Sequence, residues 1–171
     1  MGPPGSLLAE IQSELGQIVS EAELQVEWRS MGSPRDGSES FPGIAVLRFR
    51  GRCFFDGSPA AGMSAYSGGP ALGATDLTRG HMLSFGDVNC DAVRSLVAPG
   101  VSTLRLADRN SVLGRALARV SAHEIYHMLT GSKAHANEGI ARAAYSRTIL
   151  TAPSFAFDKP EMNWLRSWVR K

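Results

Sequence analysis

Three of the four histidines in the chain lie in the segment HEIYHMLTGSKAH, residues 123–135, and a glutamate directly follows the first of them. On a helix, His123 and His127 lie one turn apart on the same side, so both imidazoles can reach one ion at about 2.0–2.1 Å, the distance expected for zinc. Glu124 is rotated around the helix, where its carboxylate can take a proton from water without binding the metal. The HExxH pattern therefore predicts a hydrolytic zinc centre with Glu124 as general base.

A catalytic zinc site needs a third protein ligand and keeps its fourth position open. Gly131 predicts the end of the helix and a sharp turn of the chain, and both His135 and Glu138 follow that turn. His135 would complete an all-histidine set, whereas Glu138 would add a carboxylate to His123 and His127. We favour His135 as the third ligand of one Zn²⁺ ion, with Glu138 as the alternative.

The helix that carries this motif has an apolar stripe. Leu113, Ala116 and Val120 precede His123 and His127 at spacings of i, i+3, i+7, i+10 and i+14. The histidines therefore continue a core-facing stripe, which also fits a buried structural histidine pair. Three residues that favour helix N-caps stand before the stripe and predict where the helix begins: Asp108, Asn110 and Ser111.

Other segments predict the elements around this helix. Apolar spacing indicates helices over residues 6–19, with Ser6 as cap, over 90–97, and around Leu165, Trp168 and Val169. Alternation or β-branched content predicts strands over 24–29 and 44–50, and a hairpin of 71–78 and 81–88 turning at Arg79 and Gly80. The Gly-, Ser- and Ala-rich residues 56–69 predict a long surface loop.

Composition narrows the class of protein. A chain of 171 residues with 43% hydrophobic and 20% charged residues predicts one globular domain over residues 1–171. The net charge is +2 and the arginines are scattered along the chain, so we expect no nucleic-acid partner. We also expect no membrane span, because no apolar run reaches about 18 residues. The opening MGPPGSLLAEI lacks the zones of a secretion signal.

The motif and its surroundings resemble a known group of enzymes. HEIYHMLTGSKAH followed by EGIAR resembles the metzincin pattern, HExxHxxGxxH with a later methionine turn. It is more similar still to small, mostly secreted bacterial proteins regarded as zinc metalloproteases, with the pattern HExxHxLLGxxxH followed by GIM. The similarity extends through VEWR, RGRCFFDG, ALGAT, VNCDAVR, LGRALARVSAHE and FAFDKPE.

Two features depart from the metzincin pattern. Seven residues separate His127 from His135 where metzincins have five, and Ala141 stands at the position of the turn methionine. That methionine supports the metal site by packing rather than by ligation, so its absence leaves zinc binding in place but predicts a looser site.

The resemblance implies an α+β, metzincin-like fold, in which a small mixed sheet is backed by helices and the HExxH helix lies beneath it. It implies a zinc-dependent peptidase whose peptide or protein substrate pairs with an edge strand, either ALGAT or HMLSF. We expect the protein to be a monomer. Glu124 would serve as general base and later as acid. A noncatalytic zinc-binding module descended from such an enzyme is the alternative.

Three further expectations depend on the same resemblance. Cys53 and Cys90 are the only cysteines, and the resemblance favours a disulfide between them over two separate thiols. It also implies a secreted or periplasmic location. Tyr145 stands where some metzincins stabilise an oxyanion with a tyrosine, although an ordinary packing role is favoured.

Overall fold

The computed structural model describes residues 3–32, 41–57 and 71–169. Within these residues helices and a small sheet are combined, which confirms the α+β class. In chain order the elements are α1 (Gly5–Ser20), β1 (Val46–Arg50), β2 (Gly73–Thr78), β3 (His81–Asn89), α2 (Cys90–Val101), α3 (Leu106–Thr130), α4 (Arg147–Thr151) and α5 (Lys159–Val169).

The sheet has three strands in the order β1-β3-β2. The central strand β3 pairs in parallel with β1, with Val46 opposite Phe85, and antiparallel with β2, with Gly73 opposite Val88. The predicted hairpin is confirmed, and both residues of its two-residue turn, Arg79 and Gly80, have positive φ. ALGAT ends in the edge strand β2, and HMLSF lies at the start of β3, where Phe85 is the one residue of this segment paired with β1.

Helix α3 lies between α1 and the inner face of the sheet and also contacts the other helices. The predicted apolar stripe of α1 is confirmed, because its residues are buried at helical spacing against the rest of the core. On the inner face of the sheet, Val88 is buried and Gly86 lies against Met128 of α3. The largest apolar side chains that are fully buried are Ile11, Leu15, Val88, Val93, Val97, Val101, Leu113, Leu117, Ile140, Leu150 and Leu165.

A disulfide joins Cys53, which follows β1, to Cys90, the first residue of α2. Both cysteines are buried, so the bond ties the sheet to α2 inside the core. The expected pairing is confirmed, and a disulfide fits an extracellular or periplasmic location. Within the described ranges, no helix has the length and apolar character that crossing a membrane requires.

The strand predicted over residues 24–29 is wrong. This segment has no regular structure, although Leu24 and Trp28 pack against the core while Val26 is 40% exposed. The segment therefore contacts the core through two of its apolar side chains without pairing with a strand.

Two predicted helix starts are also wrong, because α1 begins at Gly5 and α3 at Leu106, neither with a side-chain cap. The three residues expected to cap α3 lie inside it and bind other partners: Asp108 pairs with Arg105, Asn110 bonds the backbone of Phe55, and Ser111 donates to Glu10. The predicted surface loop over 56–69 lies almost wholly outside the described residues.

Candidate metal centre

The last turns of α3 bring two histidines together. His123 and His127 are only 8% and 4% exposed, and their ring centroids lie 4.5 Å apart. The helix ends at Gly131, whose φ of 64° is the left-handed conformation that glycine adopts readily, as predicted. The Gly131 N–H donates to the His127 carbonyl and closes the helix end. The chain therefore turns away about one helical turn after the second histidine.

The loop after this turn returns the third histidine to the same place. The exposed His135 ring stacks on the His123 ring with centroids 5.3 Å apart, and meets the His127 ring edge-on at 4.9 Å. One ring nitrogen from each residue lies within 4.8 Å of the others, so the three histidines could hold a metal ion. Glu138 is exposed and does not belong to this group.

Backbone carbonyls fix the hydrogen on two of the rings. The His123 Nδ1 lies 2.8 Å from the Ile140 carbonyl oxygen, and the His127 Nδ1 lies 2.6 Å from that of Ser132. A carbonyl only accepts hydrogen bonds, so each Nδ1 carries the hydrogen and donates it. In a neutral ring, each Nε2 therefore keeps a free lone pair.

The free lone pairs of His123 and His127 face each other, with the two Nε2 atoms 2.9 Å apart. Burial lowers the pKa of His123 to about 4 and also lowers that of His127, so both rings are neutral at pH 7. Two lone pairs at this distance repel each other, whereas a cation between them attracts both. Two nitrogens on one tetrahedral zinc stand about 3.3 Å apart, so the donor set fits zinc or a similar divalent ion.

The loop that carries His135 is anchored at its far end. The Ala136 N–H donates to the Ala141 carbonyl, and the Ile140 N–H donates to the Ala156 carbonyl. Gly139 has a φ of 65°, and a Cβ at this position would lie 2.7 Å from the backbone nitrogen of Asp158. Only glycine fits between the loop and the backbone of Asp158 at this position. This close packing of the two backbones places the Ile140 carbonyl beneath His123.

Ala141, at the position of the turn methionine, is buried beside Ile140. The backbone of this turn reaches His123 through the carbonyl of Ile140, the residue before Ala141.

Tyr145 contacts the side of His123 that faces away from the other histidines. Its hydroxyl donates to the same Ile140 carbonyl and lies 3.3 Å from the His123 Nδ1. Burial raises the pKa of this phenol above its ordinary value, so the hydroxyl stays protonated. The hydroxyl is thus bonded behind the His123 ring, and this position does not support an oxyanion role.

Glu124 is 4% exposed and lies under the edge strand β2. The Thr75 hydroxyl lies 2.8 Å from Glu124 Oε2, to which it donates. Burial raises the pKa of Glu124 to about 7, although the Thr75 hydrogen bond lowers it. This carboxyl therefore exchanges its proton near neutral pH, as a general base must.

Gly73 makes room for this carboxylate. A Cβ at Gly73 would lie 2.5 Å from Glu124 Oε1 and 2.9 Å from a methyl group of Val120. Gly73 and Thr75 are alternate residues of β2, so both face α3. Together they form a carboxylate cradle on the inner face of the edge strand.

The structure brings together His123, His127 and His135, and it places Glu124 beside them on α3. His81, the fourth histidine, is exposed at the hairpin turn and does not belong to this group. Sequence reasoning missed the Thr75 hydroxyl, the space at Gly73 and the carbonyl acceptors on two loops. Only the glycine left a trace in the sequence, because glycine within a strand often marks a close approach of another group.

Comparison with protein-family models, with characterised proteins and with solved structures finds no match to this chain.

Proposed function

We propose that this protein is a zinc-dependent peptidase in which His123, His127 and His135 hold one Zn²⁺ and Glu124 is the general base. One observation carries the proposal: three imidazole nitrogens converge beside a buried carboxylate. The Nδ1 hydrogen bonds of two of the rings point their Nε2 lone pairs at a common point. Such an arrangement is costly unless a cation occupies it.

Zinc bound to these nitrogens supplies Lewis-acid stabilisation of negative charge on the reacting carbonyl. Thr75 holds Oε2 of Glu124 in place, and no described residue donates a hydrogen bond to Oε1. Glu124 takes a proton from the attacking water through Oε1 and later gives it to the leaving amine. A pKa near 7 suits both directions of this transfer.

Strand β2 is the natural place for a peptide substrate. Within the described residues it pairs only with β3, so its second edge has backbone groups available for an extended peptide. Its inner face holds Glu124 through the carboxylate cradle. A peptide that adds to this edge would therefore lie against the element that positions the base.

The direct test is digestion of a mixed-peptide library by the Zn²⁺-loaded protein and by Glu124→Ala. We expect the wild type to cleave peptides and Glu124→Ala to keep one Zn²⁺ per chain while losing at least about 100-fold in rate. Glu138→Ala removes an exposed carboxylate from the loop that carries His135; it is the matched control and should cleave at the wild-type rate. Full turnover by Glu124→Ala would reject the mechanism.

The third ligand has its own test. His135→Ala should weaken Zn²⁺ binding by several orders of magnitude, since an ion with two protein ligands is far less stable than one with three. Glu138→Ala should leave the Zn²⁺ dissociation constant unchanged. The opposite pattern would assign the third ligand to Glu138.

A noncatalytic zinc-binding module is the second candidate. The Glu124 carboxylate is nearly buried and hydrogen-bonded to Thr75, which also suits a structural tie between α3 and β2. Metal binding without cleavage of any peptide by the wild type would favour this candidate. For either function, the disulfide supports a secreted or periplasmic location.

A further inference from the structure

The Ile140 carbonyl oxygen accepts two hydrogen bonds, one from the His123 Nδ1 and one from the Tyr145 hydroxyl. A carbonyl oxygen has two lone pairs, so these donors use its full capacity. Among the described residues, the His123 Nδ1 has two polar neighbours: this carbonyl oxygen at 2.8 Å and the Tyr145 hydroxyl at 3.3 Å. Because the hydroxyl donates its hydrogen to the carbonyl, the carbonyl is the acceptor for the Nδ1 hydrogen. Its position decides which way His123 Nε2 points.

We propose that the Tyr145 hydroxyl is a positioning group for the metal centre, which aims His123 by fixing the carbonyl that receives its Nδ1 hydrogen. The inference rests on the proposed metal site and adds to it a residue that does not touch the metal. The motif itself gives no sign of this role, because Tyr145 lies 22 residues after His123.

The Tyr145 ring is itself held on two sides. It meets the His123 ring edge-on at 5.7 Å and the Phe155 ring edge-on at 5.9 Å. These contacts set the direction of the hydroxyl, since a phenol has only two side-chain torsions. The hydroxyl therefore provides a fixed donor for the carbonyl.

The carbonyl needs such a partner because it belongs to a loop. Residues 131–142 contain no helix or strand, and the Ile140 backbone is bonded on its other side only through its N–H to Ala156. The second torsion of a histidine side chain is broad, so a displaced carbonyl lets the ring rotate. Rotation of His123 would carry its Nε2 away from His127 and His135.

Loss of an outer partner of a metal-binding histidine typically costs about 10- to 100-fold in metal affinity. We therefore expect Tyr145→Phe, which removes only the hydroxyl, to raise the Zn²⁺ dissociation constant by about 10- to 100-fold. Tyr126→Phe is the matched control. Tyr126 is also half-buried beside a metal-binding ring, 5.7 Å from His127, but its hydroxyl has no hydrogen-bond partner in the described part of the chain.

The experiment measures Zn²⁺ affinity by competition with a chromophoric chelator, and the visible spectrum of each Co²⁺-loaded protein. We expect weaker binding and an altered Co²⁺ spectrum for Tyr145→Phe, and wild-type values for Tyr126→Phe. Thermal unfolding of the metal-free variants shows that each is folded at the assay temperature. Nitrogen-15 spectra of the wild-type imidazoles should place the His123 hydrogen on Nδ1, and this measurement needs no variant.

His123→Ala is the control for the metal centre itself and should abolish Zn²⁺ binding. If it does, three results would overturn the role of Tyr145 and leave the metal centre intact. These are a Zn²⁺ dissociation constant of Tyr145→Phe within about twofold of the wild type, an equal loss in Tyr126→Phe, or a His123 hydrogen on Nε2. Absence of Zn²⁺ binding by the wild type, or unchanged binding in His123→Ala, would instead overturn the metal centre and this inference together.

Discussion

The buried carboxyl of Glu124 makes the metal-free protein sensitive to pH. Its folded-state pKa is raised from 4.5 to about 7, mainly by burial, so the folded protein binds this proton more tightly than the unfolded chain does. The stability that this proton contributes is fully present below pH 4.5 and is lost as the pH rises through 7. From these two pKa values the loss between pH 5 and pH 8 is about 2.5 kcal/mol. A typical domain has only about 5–15 kcal/mol in total.

Glu124→Gln removes this titration while keeping the size of the side chain. We would measure the free energy of unfolding in urea at pH 5 and pH 8, in the presence of a chelator, for the wild type and for the variant. The quantity of interest is the difference between the two pH dependences. Effects of the substitution that do not depend on pH cancel in it, as does the titration of the three histidines that both proteins share.

The wild type should lose about 2.5 kcal/mol more than Glu124→Gln between pH 5 and pH 8. The sign follows from the raised pKa, because a carboxyl with a lowered pKa would gain stability over the same range. Equal pH dependences would show that the Glu124 carboxyl is solvated in the folded protein. The cradle formed by Gly73 and Thr75 would then be wrong.

Three more sets of variants test the Thr75 hydrogen bond, the Arg119 ion pair and the disulfide. Thr75→Val should lower kcat of the Zn²⁺-loaded protein by about 10-fold or more with little change in KM. The reason is that a hydrogen bond to a charged group contributes about 1.5–3 kcal/mol. Thr75→Ser, which keeps the hydroxyl, should restore the rate. Arg119→Met should cost about 3–5 kcal/mol in urea unfolding, because this fully buried guanidinium pairs with Glu14 of α1. Arg105→Met, at a pair exposed on the surface, is the control and should leave the free energy of unfolding nearly unchanged. Replacing Cys53 and Cys90 by Ser should lower the free energy of unfolding by about 2–4 kcal/mol, since the disulfide closes a loop with a sequence separation of 37. Equal stability of the wild type and the double variant would contradict a stabilising disulfide.

Periodicity predicted the elements that carry the site. The stripe ending in His123 and His127 indicated a helix, and Gly131 indicated its end, because both signals depend on local geometry. The turn at Arg79 and Gly80 was predicted for the same reason. Local signals thus placed two histidines on one turn and returned the chain towards them.

The supporting contacts could not be predicted in this way. Thr75 and Glu124 are 49 residues apart, and nothing near either residue encodes their hydrogen bond. The Ile140 carbonyl has no sequence signature, because every residue has a carbonyl. The strand expected over 24–29 failed because alternation of residue types fixes neither backbone pairing nor burial, as the 40% exposure of Val26 between Leu24 and Trp28 shows.

The central claim is that three imidazoles hold one divalent ion and leave a coordination position open. The zinc K-edge X-ray absorption spectrum of the Zn²⁺-loaded protein tests it most directly. We predict three imidazole nitrogens at about 2.0–2.1 Å and one oxygen that does not come from the protein. A spectrum with only two imidazoles would contradict the ligand set, and four protein ligands would contradict the open position that catalysis needs.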